Sequence, residues 1–208
     1  AVSVSLEGFR PWARTLTLAE GDKVELDAVL AVRDDVQAAS RFIESAGSAP
    51  ASVTLVPASE IAAFDYGTLA DALRGVRGFT VSDDLIYPTA GVRGFGPLGD
   101  YSNRFQLQID GHILNDGWVG QAFLSHDAIT GLEPFGRLEV VRGPGSVLYG
   151  TGALFGVLNL VPAEGFTNVG RAGVSLLGPQ TTRLWAEQKL ALPDLDGGLS
   201  IYGGLVYE

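Results

Sequence analysis

The sequence predicts a β-dominated α+β chain: a central unit with two short helices, flanked on both sides by antiparallel strands. Three observations carry this. Glycine supplies 28 of 208 residues, about twice the roughly 7% of an average protein, and comes in short clusters that mark turns and positive-φ positions. Period-2 runs recur along most of the chain, whereas helical spacing is confined to two stretches between 58 and 74. No apolar run reaches ~18 residues, so no transmembrane helix is expected; membrane strands, whose signal is weak in each segment, stay open.

Composition bounds the function. Hydrophobic residues at 46% and charged residues at 18% allow a buried core. A formal charge of -10 argues against nucleic-acid binding, which needs clustered cations to displace counterions. With no cysteine, disulfides, thiolate zinc sites and Cys nucleophiles are excluded. Methionine is absent even at position 1, and no signal peptide is visible, so a processed or excised chain is expected.

Residues 1–31 alternate in three runs: Val2 to Leu6, Arg14 to Leu18 and Lys23 to Asp27, separated by Gly8-Phe9-Arg10-Pro11 and Glu20-Gly21-Asp22. They read as the end of a small sandwich. Residues 32–50 are polar, small and flexible, and read as a linker. Residues 51–165 form the second unit. It opens with a strand over 51–56 and continues with helices over 58–64 and 68–74, for which Ser59 and Thr68 are the expected N-caps. Residues 104–109 alternate and end in Asp110-Gly111, a strong hairpin signal, with 112–114 returning. Strands are also expected at 138–141 and 157–161, in one sheet with 105–109. Residues 166–208 hold three long alternating runs, 170–177, 181–190 and 199–207, expected to pair in the order 1-2-3 with one apolar face. Their length suits membrane strands of ~9–11 residues, and a soluble sheet fits the periodicity equally.

Three segments stand in order. The first is Gly91-Val92-Arg93-Gly94-Phe95-Gly96. The second runs from Asn103-Arg104 through Asp110-Gly111 to Leu114-Asn115-Asp116. The third is Arg137-Leu138-Glu139-Val140-Val141-Arg142-Gly143-Pro144-Gly145-Ser146-Val147-Leu148-Tyr149-Gly150, closed by Gly156-Val157-Leu158-Asn159-Leu160. Together they resemble the plug domain of TonB-dependent receptors, well over roughly 40–165 and loosely over 166–208, as the start of the barrel. The N-terminal strands look like the tail of a carboxypeptidase-regulatory-like sandwich, though a generic β-tail fits those residues as well.

The resemblance implies an α+β plug with a small mixed sheet, preceded by strands of a partial sandwich and followed by antiparallel strands of a transmembrane barrel cut off before closure. It implies a gate for active uptake of a scarce nutrient such as a ferric siderophore or cobalamin. The setting would be the outer membrane of a Gram-negative bacterium, with the plug inside the barrel and the N-terminus periplasmic. Implied partners are a TonB-type periplasmic energy-transducing protein, outer-membrane lipid around the barrel and an extracellular small ligand; no cofactor or metal is implied. Arg93 and Arg142, with Glu139 beside them, would lock plug to barrel. The acids that face the arginines would lie in later strands, leaving both short of acceptors here, unless Glu139, Asp110 or Asp116 satisfies them within the plug. Gly94, Asp110, Gly111, Gly143, Pro144, Gly145 and Gly150 would shape the motif turns. Tyr87, Asn115, Trp118 and Phe123 are candidates to face ligand, or to pack on the barrel wall. Val32, Arg33, Asp34, Asp35 and Val36 form a candidate TonB box, or a plain linker.

Rival chemistry is poorly supplied. Ser125-His126-Asp127 holds the three triad residue types, but adjacent residues are badly placed to reach one another as a triad. Neither Gly143-Pro144-Gly145-Ser146 nor Gly150-Thr151-Gly152 has the Gly-Lys-Ser/Thr ending of a phosphate loop. The two histidines have no spaced carboxylate partner that would make a metal signature, so no enzyme is expected. The rival from another class is a soluble β-rich binding or adhesion module without transport.

Overall fold

The computed structural model describes the chain apart from residues 5, 7, 8, 18, 20–22, 32, 33, 39–43, 46, 48, 50, 98, 99, 164–167, 177–180, 193–196 and 208. At the start, β1 (Val2–Val4) pairs antiparallel with β2 (Trp12–Arg14). The expected run at 23–27 is not a strand, and of the described residues of the run at 14–18 only Arg14 lies in one. Both strands are largely exposed. Alternation becomes a stable strand only where a partner edge and a surface to cover exist. Among the described residues of this stretch, β1 and β2 form a two-stranded sheet.

The expected linker is partly structured. It carries β3 (Asp35–Val36) paired antiparallel with β4 (Glu44–Ser45). Val36 and Ala38 are buried against Val141, Ala153 and Val157. Two small apolar residues thus find a seat on the central sheet, which composition does not reveal.

The central unit comprises β5 (Ser52–Pro57), α1 (Ala58–Ala63), α2 (Leu69–Arg74), β6 (Phe79–Asp83), β7 (Pro88–Val92), β8 (Phe105–Ile109), β9 (His112–Ile113), β10 (Phe135–Arg142), α3 (Ser146–Tyr149) and β11 (Gly156–Pro162). Five strands form one sheet in the order β5-β10-β11-β8-β9. β11 runs parallel to β8 and the other neighbours are antiparallel, so the sheet is mixed. The runs at 105–109, 138–141 and 157–161 do share it. β6 and β7 make a separate hairpin.

The sheet has two unlike faces, a consequence of the period-2 side-chain alternation of strands. Val56, Leu107, Leu138, Val140, Leu158 and Leu160 point one way, into the main core with Leu69 and Leu73 of α2. The opposite face carries Gln108, Asn159 and Glu139 side by side across β8, β11 and β10. All three are buried.

Thr68 caps α2 as expected: its hydroxyl accepts from Asp71 N, and the Asp71 carboxylate accepts from Thr68 N, a capping box. Ser59 does not cap α1. The helix starts directly after Pro57, which takes the cap position without a side-chain hydrogen bond and leaves Ser59 inside the first turn. The Asp110-Gly111 hairpin forms with φ of 48° and 81°, two successive left-handed residues that match the twist of the strands it joins.

β12 (Val169–Leu176), β13 (Thr182–Leu192) and β14 (Gly197–Tyr207) form a three-stranded antiparallel meander in the expected order. Register places Val174, Leu184 and Leu205 in one cross-strand row, and Ser175, Arg183 and Val206 in the next row on the opposite face. The apolar face, with Val174, Leu176, Leu184, Leu190, Leu199, Ile201, Leu205 and Tyr207, is exposed. The face toward the central unit carries the polar side chains Arg171, Ser175, Arg183, Glu187 and Tyr202.

Candidate functional site

Arg142 ends β10, where Gly143, Pro144 and Gly145 turn the chain into α3. Gly145 N donates to Ala153 O at 2.9 Å, and a Cβ on Gly145 would lie 3.1 Å from Val157 and 3.3 Å from Ala153, so the turn is tightly packed. Gly150, at φ 78°, closes α3. The Arg142 guanidinium reaches back across the sheet. One NH2 group donates to Arg77 O, and the other to Ser52 Oγ at 2.9 Å and Thr54 Oγ1 at 2.7 Å. Its Nε is buried without an acceptor. Arg93 and Gly94 form a left-handed turn, φ 53° and 82°, from which Arg93 donates to Arg142 O at 2.9 Å.

Arg77, Arg93 and Arg142 thus gather beside a 320 Å³ cleft lined by Ser52, Arg93, Arg142 and Pro144. No described carboxylate pairs with any of the three. Burial first, then the positive Arg93 and Arg77, presses the Arg142 guanidinium below its ordinary pKa. Asp110, Asp116 and Glu139 do not satisfy these arginines.

Glu139 has partners for both carboxylate oxygens among the described residues. Oε1 takes a two-pronged bond from Arg137, at 2.9 and 2.7 Å. Oε2 accepts from Gln37 N, Ala38 N and Asn159 Nδ2. Alternation turns it away from the Leu138 and Val140 face and toward the N-terminal segment.

Two loops meet at another edge. Asp84 accepts from Ile86 N and Tyr87 N, and Asp116 from Trp118 N, Val119 N and Gln121 N. These backbone donors hold both carboxylates below the usual aspartate pKa, Tyr87 N contributing most for Asp84 and Val119 N most for Asp116. The turns present Leu85, Ile86 and Trp118 to solvent, Trp118 at 93% exposure. Tyr87 lies 6.4 Å from Phe123, ring centre to ring centre. Asn115 differs: its amide is consumed by Leu107 N, Phe105 O and Gly120 O, which makes it a loop brace.

Of the five candidate TonB-box residues, Val32 and Arg33 lie outside the described residues. Asp34 and Asp35 bond Arg10 at 3.0 and 2.8 Å. Asp34 also accepts from the Ser45 hydroxyl, the first cause of its lowered pKa. Val36 is buried.

Residues 45–157, more than half of the chain, match the TonB-dependent Receptor Plug Domain family. The chain belongs to that family. The chain is 29% identical over 135 residues to an iron-regulated outer membrane virulence protein of Vibrio cholerae, covering 61% of this chain and 19% of that protein. It is 31% identical over 139 residues to a vitamin B12 transporter of Vibrio vulnificus, covering 65% and 21%. The fold is similar to the outer-membrane ferripyoverdine receptor of Pseudomonas aeruginosa solved with ferripyoverdine bound, with a TM-score of 0.64 at 20% identity, over 89% of this chain and 26% of that one. The chain therefore spans about a fifth of the length of the curated relatives it matches. Membership places this plug protein in the outer membrane of a Gram-negative bacterium.

Sequence reasoning missed the contact between plug and meander. Arg183, 1% exposed, pairs with Glu133 at 2.7 Å and Asp65 at 3.1 Å. Ser175 also donates to Asp65, and Tyr202 to Glu133 at 2.8 Å. Arg171 pairs with Glu187 and donates to Glu133 O. The available signal was Arg171, Arg183 and Glu187 at odd positions in runs whose even positions are largely apolar.

Proposed function

We propose that this chain carries the plug and the first barrel strands of an outer-membrane receptor that imports a scarce nutrient, such as a ferric siderophore or cobalamin, with the plug as its gate. The observation that supports the reading best is the inverted polarity of the meander, with charges against the plug and an apolar surface outward. A soluble sheet would turn its apolar face inward; lipid outside and a polar lumen require the reverse.

On this reading residues 1–31 are the end of a regulatory-like β domain, 32–50 a tether, 51–165 the plug and 166–208 barrel strands. Arg93 and Arg142, rich in donors and short of acids, face barrel carboxylates from elsewhere in the receptor. Tyr87, Trp118 and Phe123 contact the extracellular ligand. Residues 32–36 meet a TonB-type energy-transducing protein. The test is deletion of 45–157 from the full-length receptor. Energised uptake should be lost, and leakage of large antibiotics through the barrel should rise. Uptake that persists at the same rate, still dependent on the energised inner membrane, would refute the gate.

A further inference from the structure

The carboxylate of Glu139 recognises main chain. It accepts from two successive N–H groups lying 102 and 101 residues upstream, Gln37 N at 3.1 Å and Ala38 N at 2.9 Å. Glu139 is fully buried, and the Arg137 guanidinium at 2.7 Å balances its charge. Asn159 donates to the same oxygen at 3.3 Å, which fixes its direction. The segment that supplies the two N–H groups is seated by Val36 and Ala38 in the small cluster with Val141, Ala153 and Val157. Its own hairpin is only two residues long on each side, too short to hold it alone. β10, which carries Glu139, is an inner strand held between β5 and β11, so the two main-chain bonds tie the segment to the middle of the sheet, beside the Tyr149 hydroxyl on Gln37 O and the apolar seat of Val36 and Ala38.

We propose that Glu139 is a latch. It keeps residues 36–38 docked and out of reach on the plug, and release of its two main-chain bonds is the step that frees the segment for a partner that captures extended peptide. The partner half rests on the receptor reading above; the latch does not. A buried carboxylate suits the task because hydrogen bonds to a charged acceptor are about twice as strong as neutral ones and are direction-specific. Because the bonds go to backbone, changes of side chain at 37 leave them intact.

The chain has no cysteine, so Val36→Cys gives a single thiol at the buried position. Its reaction with a maleimide should be slow in the parent chain. It should be at least about tenfold faster in Glu139→Gln, the factor that losing one hydrogen bond to a charged group brings. Because a change at 139 sits inside the sheet, Ala38→Pro provides an independent route. It removes one donor from the segment side without substituting any residue of the sheet, and should also speed labelling. Equal labelling rates in the parent, Glu139→Gln and Ala38→Pro, with amide exchange in β10 and β11 unchanged, would overturn the latch. Uptake by the full-length receptor separates the two readings: faster labelling with altered uptake supports both, whereas faster labelling with unchanged uptake keeps the latch and removes the partner.

Discussion

Arg183 illustrates how one residue holds two units together. Its guanidinium is buried, yet Asp65 is half-exposed and Glu133 largely buried, so the pair with Glu133 carries most of the interaction. Exposed pairs contribute ~0–1 kcal/mol, whereas breaking a buried pair costs about 3–5 kcal/mol because the remaining charge is stranded. Arg183→Ala should therefore destabilise the plug–meander contact by roughly 3 kcal/mol, toward the lower end because Asp65 stays hydrated. The Glu133 carboxylate would keep the Tyr202 hydroxyl, at 2.8 Å, as a donor across the contact. Asp65→Ala should cost under about 1 kcal/mol. Urea unfolding in detergent, followed by the fluorescence of Trp185 beside Arg183, would measure both. A cost for Asp65→Ala equal to that for Arg183→Ala would contradict this ranking.

At the level of elements, what could be read depended on whether local chemistry was sufficient. The Thr68 capping box and the Asp110-Gly111 turn are local devices, and both form as the residues predict. Lys23 to Asp27 alternates as well as Phe105 to Ile109 does, yet only the latter becomes a strand, because β11 supplies it a parallel partner and α2 a core to face. Ser59 had the right side chain for a cap but the wrong neighbour, since Pro57 starts the helix earlier. The turn gives a sharp test. Gly111 has φ 81°, and a Cβ added there meets nothing within 4 Å. The cost of Gly111→Ala is therefore conformational alone, about 1 kcal/mol for a left-handed non-glycine residue. Denaturant unfolding should show that loss with an unchanged slope, and amide exchange should speed first at β9. A loss of several kcal/mol would mean that the turn is crowded by something other than this chain.

For the whole molecule, the plug sheet and the meander follow opposite solvent rules. In the plug, apolar residues face inward onto α2. In the meander the polar side chains face the plug, and Val174, Leu184 and Leu205 face out. Period 2 showed that each strand has two faces, but not which would be inside. That sign is set by Asp65 and Glu133, over a hundred and about fifty residues before Arg183 in the chain, and no local pattern connects them. Ala186 tests the outward face. It lies mid-strand in β13, exposed, in a row with Ala172 and Gly203, while its neighbour Glu187 is buried on the plug side. On a soluble sheet Ala186→Arg would be an innocuous surface change, within about 0.5 kcal/mol. Against lipid near the bilayer centre it should cost about 2–4 kcal/mol. Folding the full-length receptor into liposomes, read by the mobility difference between heated and unheated samples on a detergent gel, distinguishes the two. A folded fraction equal to the parent's across a urea series would mean that this face meets water, and the barrel reading of 166–208 would fall with it.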